Sequence, residues 1–375
     1  MTWHVIAPPA LKAWFKEELA KTYAREQTDS PGMILGCPVW GAKYLALFSK
    51  FCLRSLLAPA NLRALLANDA RVVLFTDPDG FLPVWKAAEP LEVAGIKVEI
   101  CQMPPEILAG AHDLHKFMVV SAVHCLLQQW AKRSGRGLHP LYPDHLYSER
   151  YFEPMGRHEA IAHGAVSINV VAALGELGTF KRGRALEVPA RKLGDIGLRY
   201  LHQQMSDSLV VPGDELPRSQ TLLWRGRDAL HFAGPIFNPV WLSPRRCREA
   251  PVVFPLTFDV EIPTLTGGDF HIPGPDEEMV LVELSGKAKA AVGKVEHMDE
   301  WLGLAWLQSN FKNENLAIYR HRTAIPIEPN DAGLDEETIA RHHAELMDQL
   351  PDAKLESMEA YFELLERQAR PFQRS

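Results

Sequence analysis

The chain has none of the usual glycine-rich phosphate cradles. Neither G-x-G-x-x-G nor G-x-x-x-x-G-K-[ST] occurs, so two common ways of holding a nucleotide on backbone amides are excluded. It also has no C-x-x-C pair. The five cysteines (Cys37, Cys52, Cys101, Cys125 and Cys247) are odd in number and widely spaced. That pattern excludes a disulfide frame and a cysteine zinc site, and predicts reduced, mostly buried thiols. No H-E-x-x-H metal motif is present, and no apolar run nears the roughly 20 residues a bilayer span needs. There is no excess of basic residues. The formal net charge is -7, which removes the electrostatic footprint of a nucleic-acid binder. Internal repeats and low-complexity tracts are absent. The first residues carry no apolar core of the kind a secretory signal needs, so a cytoplasmic protein is expected, with contact at the inner membrane face left open.

What is present suits a folded protein with a substantial core. The 375 residues are 47% hydrophobic and 23% charged, enough for one large or two ordinary domains. The most informative stretch runs from Gly32 to Gly80. It begins with the apolar run Met33 to Cys37 and turns at Pro38 to Gly41. Tyr44, Leu45, Phe48, Cys52 and Leu56 then recur at helical spacing. Asn61 is expected to cap a second helix through Leu62 and Leu65. Val72 to Phe75 is uniformly apolar, as a strand buried on both faces should be, and ends in Thr76-Asp77-Pro78-Asp79-Gly80. Strand, helix, strand predicts a parallel sheet, with ligands gathered beyond the C-terminal ends of its strands.

Further along, Val98 to Cys101 and Leu138 to Tyr142 are expected strands on either side of a long helix, His112 to Lys132. A helix is expected over 149–163, a strand from Ala165 to Ala173 and a helix from Pro189 to Met205. An amino-terminal strand over Trp3 to Ile6 precedes a helix through Leu11 and Trp14. Leu222 to Arg225, Val252 to Phe258 and Met279 to Leu284 are strand-like, Met298 to Phe311 is helical, and two amphipathic helices split by Pro351 close the chain.

This order of pieces, up to about residue 205, resembles the nucleotide-sugar-binding half of a GT-A-type glycosyltransferase. The pieces that carry the resemblance are Met33 to Cys37, the Tyr44 helix, Val72 to Asp79, the helix from His112, and Leu138 to Asp144. The family usually holds a divalent metal with Asp-x-Asp at the last of these places. Here the sequence is Leu141-Tyr142-Pro143-Asp144-His145, so only Asp144 of the pair is present. The resemblance implies an α/β fold with a Rossmann-like GT-A mixed sheet flanked by helices. Residues 1–330 would form the catalytic domain, with 1–205 as the donor half and 206–330 as the acceptor half. Residues 331–375 would be a helical extension. The implied activity is sugar transfer from a nucleotide-sugar donor to a glycan, lipid or protein acceptor. Asp144 would hold Mg²⁺ or Mn²⁺, or the protein would work without a metal.

The candidate site residues follow from these placements. Trp40 and Tyr44 can stack a base or sugar ring, and Thr76, Asp77 and Asp79 can meet the nucleoside. Each has a plainer alternative, since Trp and Tyr are as often core and D-P-D-G is good turn chemistry. His231 is a further candidate substrate contact. Asp269, Asp276 and Glu277 are candidate general bases on the acceptor hydroxyl, each weighed against being a solvated loop acid. His112 and His115 at i and i+3 could share a metal, but no third ligand is indicated, and His342-His343 is expected on a solvated helix face. The rival to the enzyme is a non-catalytic scaffold that binds a glycan, nucleotide or protein. The C-terminal helices could also join two copies.

Overall fold

The structure, a computed structural model of the chain, describes residues 8–24, 32–109, 113–206, 209–210, 222–233, 238–249, 269–286 and 322–349. Four parallel strands make its centre: β1 (Met33–Pro38), β2 (Arg71–Thr76), β3 (Lys97–Gln102) and β4 (Gly137–Pro140). Short strands follow: β5 (His145–Tyr147), β6 (Ala160–His163) and β7 (Val166–Asn169). Then come the hairpin β8 (Lys181–Arg182) and β9 (Ala185–Leu186), β10 (Leu209–Val210), β11 (Leu222–Arg225), β12 (Ala229–Ala233), β13 (Asn238–Leu242), β14 (Leu281–Ser285) and β15 (Thr323–Pro326).

The main sheet has the order β3-β2-β1-β4-β13-β6. The chain builds outward from β1 to β3, then crosses back to place β4 on the other side of β1. That reversal makes a switch point between β1 and β4, where α/β sheets leave a crevice at the carboxyl ends of their strands. β13 enters antiparallel between β4 and β6, so the sheet is mixed and a late segment completes it. Two smaller sheets, β5-β14-β7 and β10-β11-β12-β15, stand beside it.

The apolar runs of β1 and β2 are explained by helices on both faces. Met33, Leu35, Cys37, Val72 and Leu74 point to one cluster, with Phe48, Cys52, Leu65, Val84, Ala88 and Leu91. Ile34, Val73 and Phe75 point to the other, with Leu11, Trp14, Val119, Val123, Leu126 and Leu127. The second face is covered by the helices Pro9–Ala24 and Asp113–Ser134. At Gly36 the long helix comes so near that an added Cβ would lie 2.0 Å from Leu127 Cδ1. A third cluster fills the space between the two smaller sheets around the helix Ala190–Arg199. Among the described residues, no helix is long and apolar enough to cross a membrane.

Several local expectations are corrected. Asn61 caps nothing. The helix starts at Pro59, whose fixed φ suits a first turn, and Asn61 lies within it. Its buried side chain donates to the Ser55 and Ser148 carbonyls and accepts from the Phe152 amide, tying the helix to the loop after β5. Residues 149–163 are turns followed by β6, not a helix, because backbone pairing with β13 takes Ala160–His163. The expected strand Ala165 to Ala173 ends at Asn169, whose carboxamide caps the amides of Val171 and Ala172 and starts the helix Val170–Gly178. The strand at residue 138 stops at Pro140, and the helix Phe81–Val93 was not anticipated. The helix from Pro189 covers only Ala190–Arg199, with Pro189 as its cap. The expected elements at Trp3 to Ile6, Val252 to Phe258, Met298 to Phe311 and beyond Pro351 lie outside the described residues.

Candidate functional site

Parallel register puts the segments after β1, β2 and β4 at one edge of the sheet. Pro38 pairs with Phe75, and the Val39 amide donates to the Phe75 carbonyl at 2.7 Å. The Leu141 amide donates to the Gly36 carbonyl at 2.6 Å. Beyond these bonds come Trp40 to Tyr44, Asp77 to Gly80, and Tyr142 to Asp144.

After β1 the chain turns at Gly41, whose φ of 73° is a left-handed conformation that glycine adopts without strain. It enters the helix Gly41–Leu47, which continues through a π-helical turn, Phe48–Cys52, into Leu53–Leu56. Trp40 and Tyr44 lie at this entrance with ring centroids 6.4 Å apart. The exposed Lys43 sits between them in sequence, its Nζ 5.1 Å from the Tyr44 ring centroid.

Asp144 is half-buried at the end of the β4 loop. Its carbonyl accepts from the Leu284 amide at 2.7 Å, so the side chain leaves a backbone held between the main sheet and β14. Burial raises its carboxyl from the ordinary 3.8 to about 6, and the Lys43 charge works against that rise. The two residues are thus within electrostatic reach. Tyr142 stacks beside His145 at 4.6 Å and meets His124 edge-on at 4.9 Å. His124 is fully buried beside the Leu141 carbonyl, and burial lowers its imidazole to about 4, so it stays neutral near pH 7. Cys37 and Cys52 are buried under the same corner, and burial pushes both thiols far up, which leaves them unreactive.

On β2, Thr76 is fully buried, and its hydroxyl has no hydrogen-bond partner among the described residues. Asp77 accepts from the Gly80 amide, which is turn chemistry, and Asp79 is exposed. The other candidates lie away from this edge. His231 is on β12, nearly buried, 3.7 Å from Glu336, and lines an open cleft of about 570 Å³ with Arg322, Glu336 and His343. Burial lowers its imidazole and Glu336 opposes that. His343 is not simply solvated, since it meets Trp224 edge-on at 6.3 Å. Asp269 is exposed and paired with Arg246, and Asp276 is exposed. Glu277 contacts His158 and His271. Glu277 lies on the segment before β14, whereas the Asp144 carbonyl pairs with Leu284 toward the end of that strand. His112 and the His115 side chain lie outside the described residues.

Asp144 offers one carboxylate with Lys43 in electrostatic reach, and among the described residues the one group of three ligand-type side chains within reach of each other is His158, His271 and Glu277. Lys43 was absent from the sequence candidates although it stands between two that were chosen. Its place in the first turn after β1 was the available signal. His158 had none.

Compared with protein-family models and with curated proteins, the chain matches none. Fold and site define a protein of the α/β class with a mixed sheet flanked by helices and a polar corner at its switch point.

Proposed function

We propose that this chain is a glycosyltransferase, and that it holds a nucleotide-diphospho-sugar at the corner of Trp40, Lys43, Tyr44 and Asp144 without a resident metal. One observation carries the reading: a carboxyl lifted to about 6 lies beside a lysine at the β1–β4 switch point. Transfer requires that charge growing on the departing diphosphate be neutralised and that the acceptor hydroxyl lose its proton. Lys43 supplies a fixed positive charge for the first task, helped by the helix start that follows β1. Asp144, ionised above about pH 6, is suited to the second. Trp40 and Tyr44 offer ring faces to the base or sugar. The acceptor is a glycan, lipid or protein hydroxyl.

The test is a thermal-shift screen of the full chain against UDP-, GDP-, CMP- and dTDP-sugars, with Mn²⁺ or with EDTA. One nucleotide class should raise the melting temperature in either condition, because a ligand that binds only the native state stabilises it. Substitution Lys43→Met should shrink the shift, as a roughly tenfold loss of donor affinity does. Release of the sugar to water or to an added acceptor then separates an enzyme from a binding scaffold. Absence of a shift with every donor would end the proposal, and a shift seen only with Mn²⁺ would overturn its metal-free form.

A further inference from the structure

The most ordered cluster of ligand-type side chains lies at the other end of the molecule's strands. The His158 and His271 rings are stacked with centroids 3.7 Å apart and planes 2° from parallel. Both present Nε2 to Glu277: His271 at 2.7 Å from one carboxylate oxygen and His158 at 3.5 Å from the other. All three ligand atoms lie within 4.8 Å of one another. Tetrahedral zinc, with bonds of about 2.0–2.2 Å, sets its ligand atoms ~3.3 Å apart and in the plane of each imidazole, so the two rings must turn out of their stack to aim both Nε2 atoms at one ion.

We propose that His158, His271 and Glu277 form a zinc-class metal site with a fourth position open to water. The proposal does not depend on the reading of the Asp144 corner. Three features argue for a built site. First, His271 is held by its main chain: its amide donates to the Ala160 carbonyl and its carbonyl accepts from the Ala162 amide, both at 2.9 Å, so it is fastened to edge strand β6. Second, the His158 carbonyl accepts from Trp241 Nε1 at 3.0 Å, which fixes the histidine just before that same strand. Third, the Glu277 carboxylate accepts from the Gly274 amide at 2.9 Å, an outer contact of the kind that orients a metal-ligating carboxylate.

The backbone beyond Glu277 supports the same conclusion. Glu278 has φ 57°, a left-handed conformation unfavourable to a residue with a side chain. It is kept there by the Ser148 hydroxyl, which donates to its carbonyl at 2.7 Å, and by Arg150, 3.0 Å from its carboxylate. These contacts hold the turn from which Glu277 reaches the two rings. Charge also favours the site. Burial, followed by the neighbouring His271, lowers the His158 imidazole. Burial works to raise the Glu277 carboxyl, but the hydrogen bonds from His271 and Gly274 outweigh it and keep the group ionised. Two imidazoles and one carboxylate match the donor set of open zinc sites. Each side chain is between 27 and 32% exposed, so solvent reaches the fourth position.

The experiment titrates the full chain, stripped with a chelator, with Zn²⁺ in competition with a chromophoric chelator. One zinc per chain is expected. His158→Ala and His271→Ala should each weaken binding at least a hundredfold, and Glu277→Gln at least tenfold. Cobalt should give the visible bands of a four-coordinate ion in the parent and lose them in His271→Ala. Circular dichroism and metal-free melting check that each variant folds. Should either alanine variant fail to fold, Glu277→Gln, which keeps the side-chain shape, decides. Zinc binding that survives all three changes, or no stoichiometric zinc in the parent, would overturn the site.

Discussion

The two ends of the sheet are polar in different ways. At the carboxyl edge the polar groups follow directly after strands that the parallel register brings together. At the β6 edge they come from distant parts of the sequence and meet because Ile161 and His271 form an isolated backbone bridge. The first arrangement needs only the order of the strands. The second needs a late segment to find one edge strand. The comparison suggests that the carboxyl corner is inherent to the sheet, whereas the histidine cluster is a clip that depends on how residues 269–286 dock.

Four perturbations sharpen or break that contrast. The largest effect is expected at Asp144. Its folded-state carboxyl is raised from 3.8 to about 6, so the native chain keeps a proton that the unfolded chain has lost. Stability therefore falls as pH rises from about 4 through about 6. Asp144→Asn removes that cost, so urea melts should show up to about 3 kcal/mol of added stability at pH 7.5 and little difference at pH 3.5. The same variant should keep the nucleotide-sugar shift and lose sugar transfer. Unchanged stability at both pH values would mean that the carboxyl is better solvated than its position implies.

Next is the clip. His271→Ala should lower zinc affinity a hundredfold, about 2.7 kcal/mol, while leaving any nucleotide-sugar shift intact. Loss of both by one substitution would show that the two ends are coupled, and the contrast would fail. Third, Gly36→Ala places a methyl group against Leu127 in the middle of the parallel half. Overpacking there should cost about 2 kcal/mol in denaturant melts and should disturb the carboxyl corner more than zinc binding. The smallest effect belongs to Lys43→Met. Its side chain is exposed, so melting without ligand should be unchanged. Donor affinity should fall about tenfold, or 1.4 kcal/mol, as read from the concentration dependence of the thermal shift.

Much of the parallel half was legible from the residues. Val72 to Phe75 is buried on both faces because helices cover both, and the run is apolar for that reason. The corner at Trp40, Tyr44 and Asp144 was legible in outline, since strand ends in such sheets face one edge. Its lysine was passed over although its place in the first turn after β1 marked it. Asp77 was singled out, and it accepts a hydrogen bond from the Gly80 amide in its own turn. In the later half, local signals competed with pairing partners that the sequence does not name. The end of the expected 149–163 helix became β6 because β13 pairs with Ala160–His163, and the residues before it form turns.

The sequence alone determined the burial pattern of β1 and β2, the period of the helices around them, and the free, buried state of most of its thiols. These depend on neighbours a few residues away, so hydrophobic spacing is enough to specify them. Tertiary structure alone decided that β13 enters the main sheet, that Lys43 stands by Asp144, and that His271 reaches His158. Those outcomes depend on backbone hydrogen bonds and packing between segments far apart in the chain, and each requires loops to close over long separations before any contact is gained.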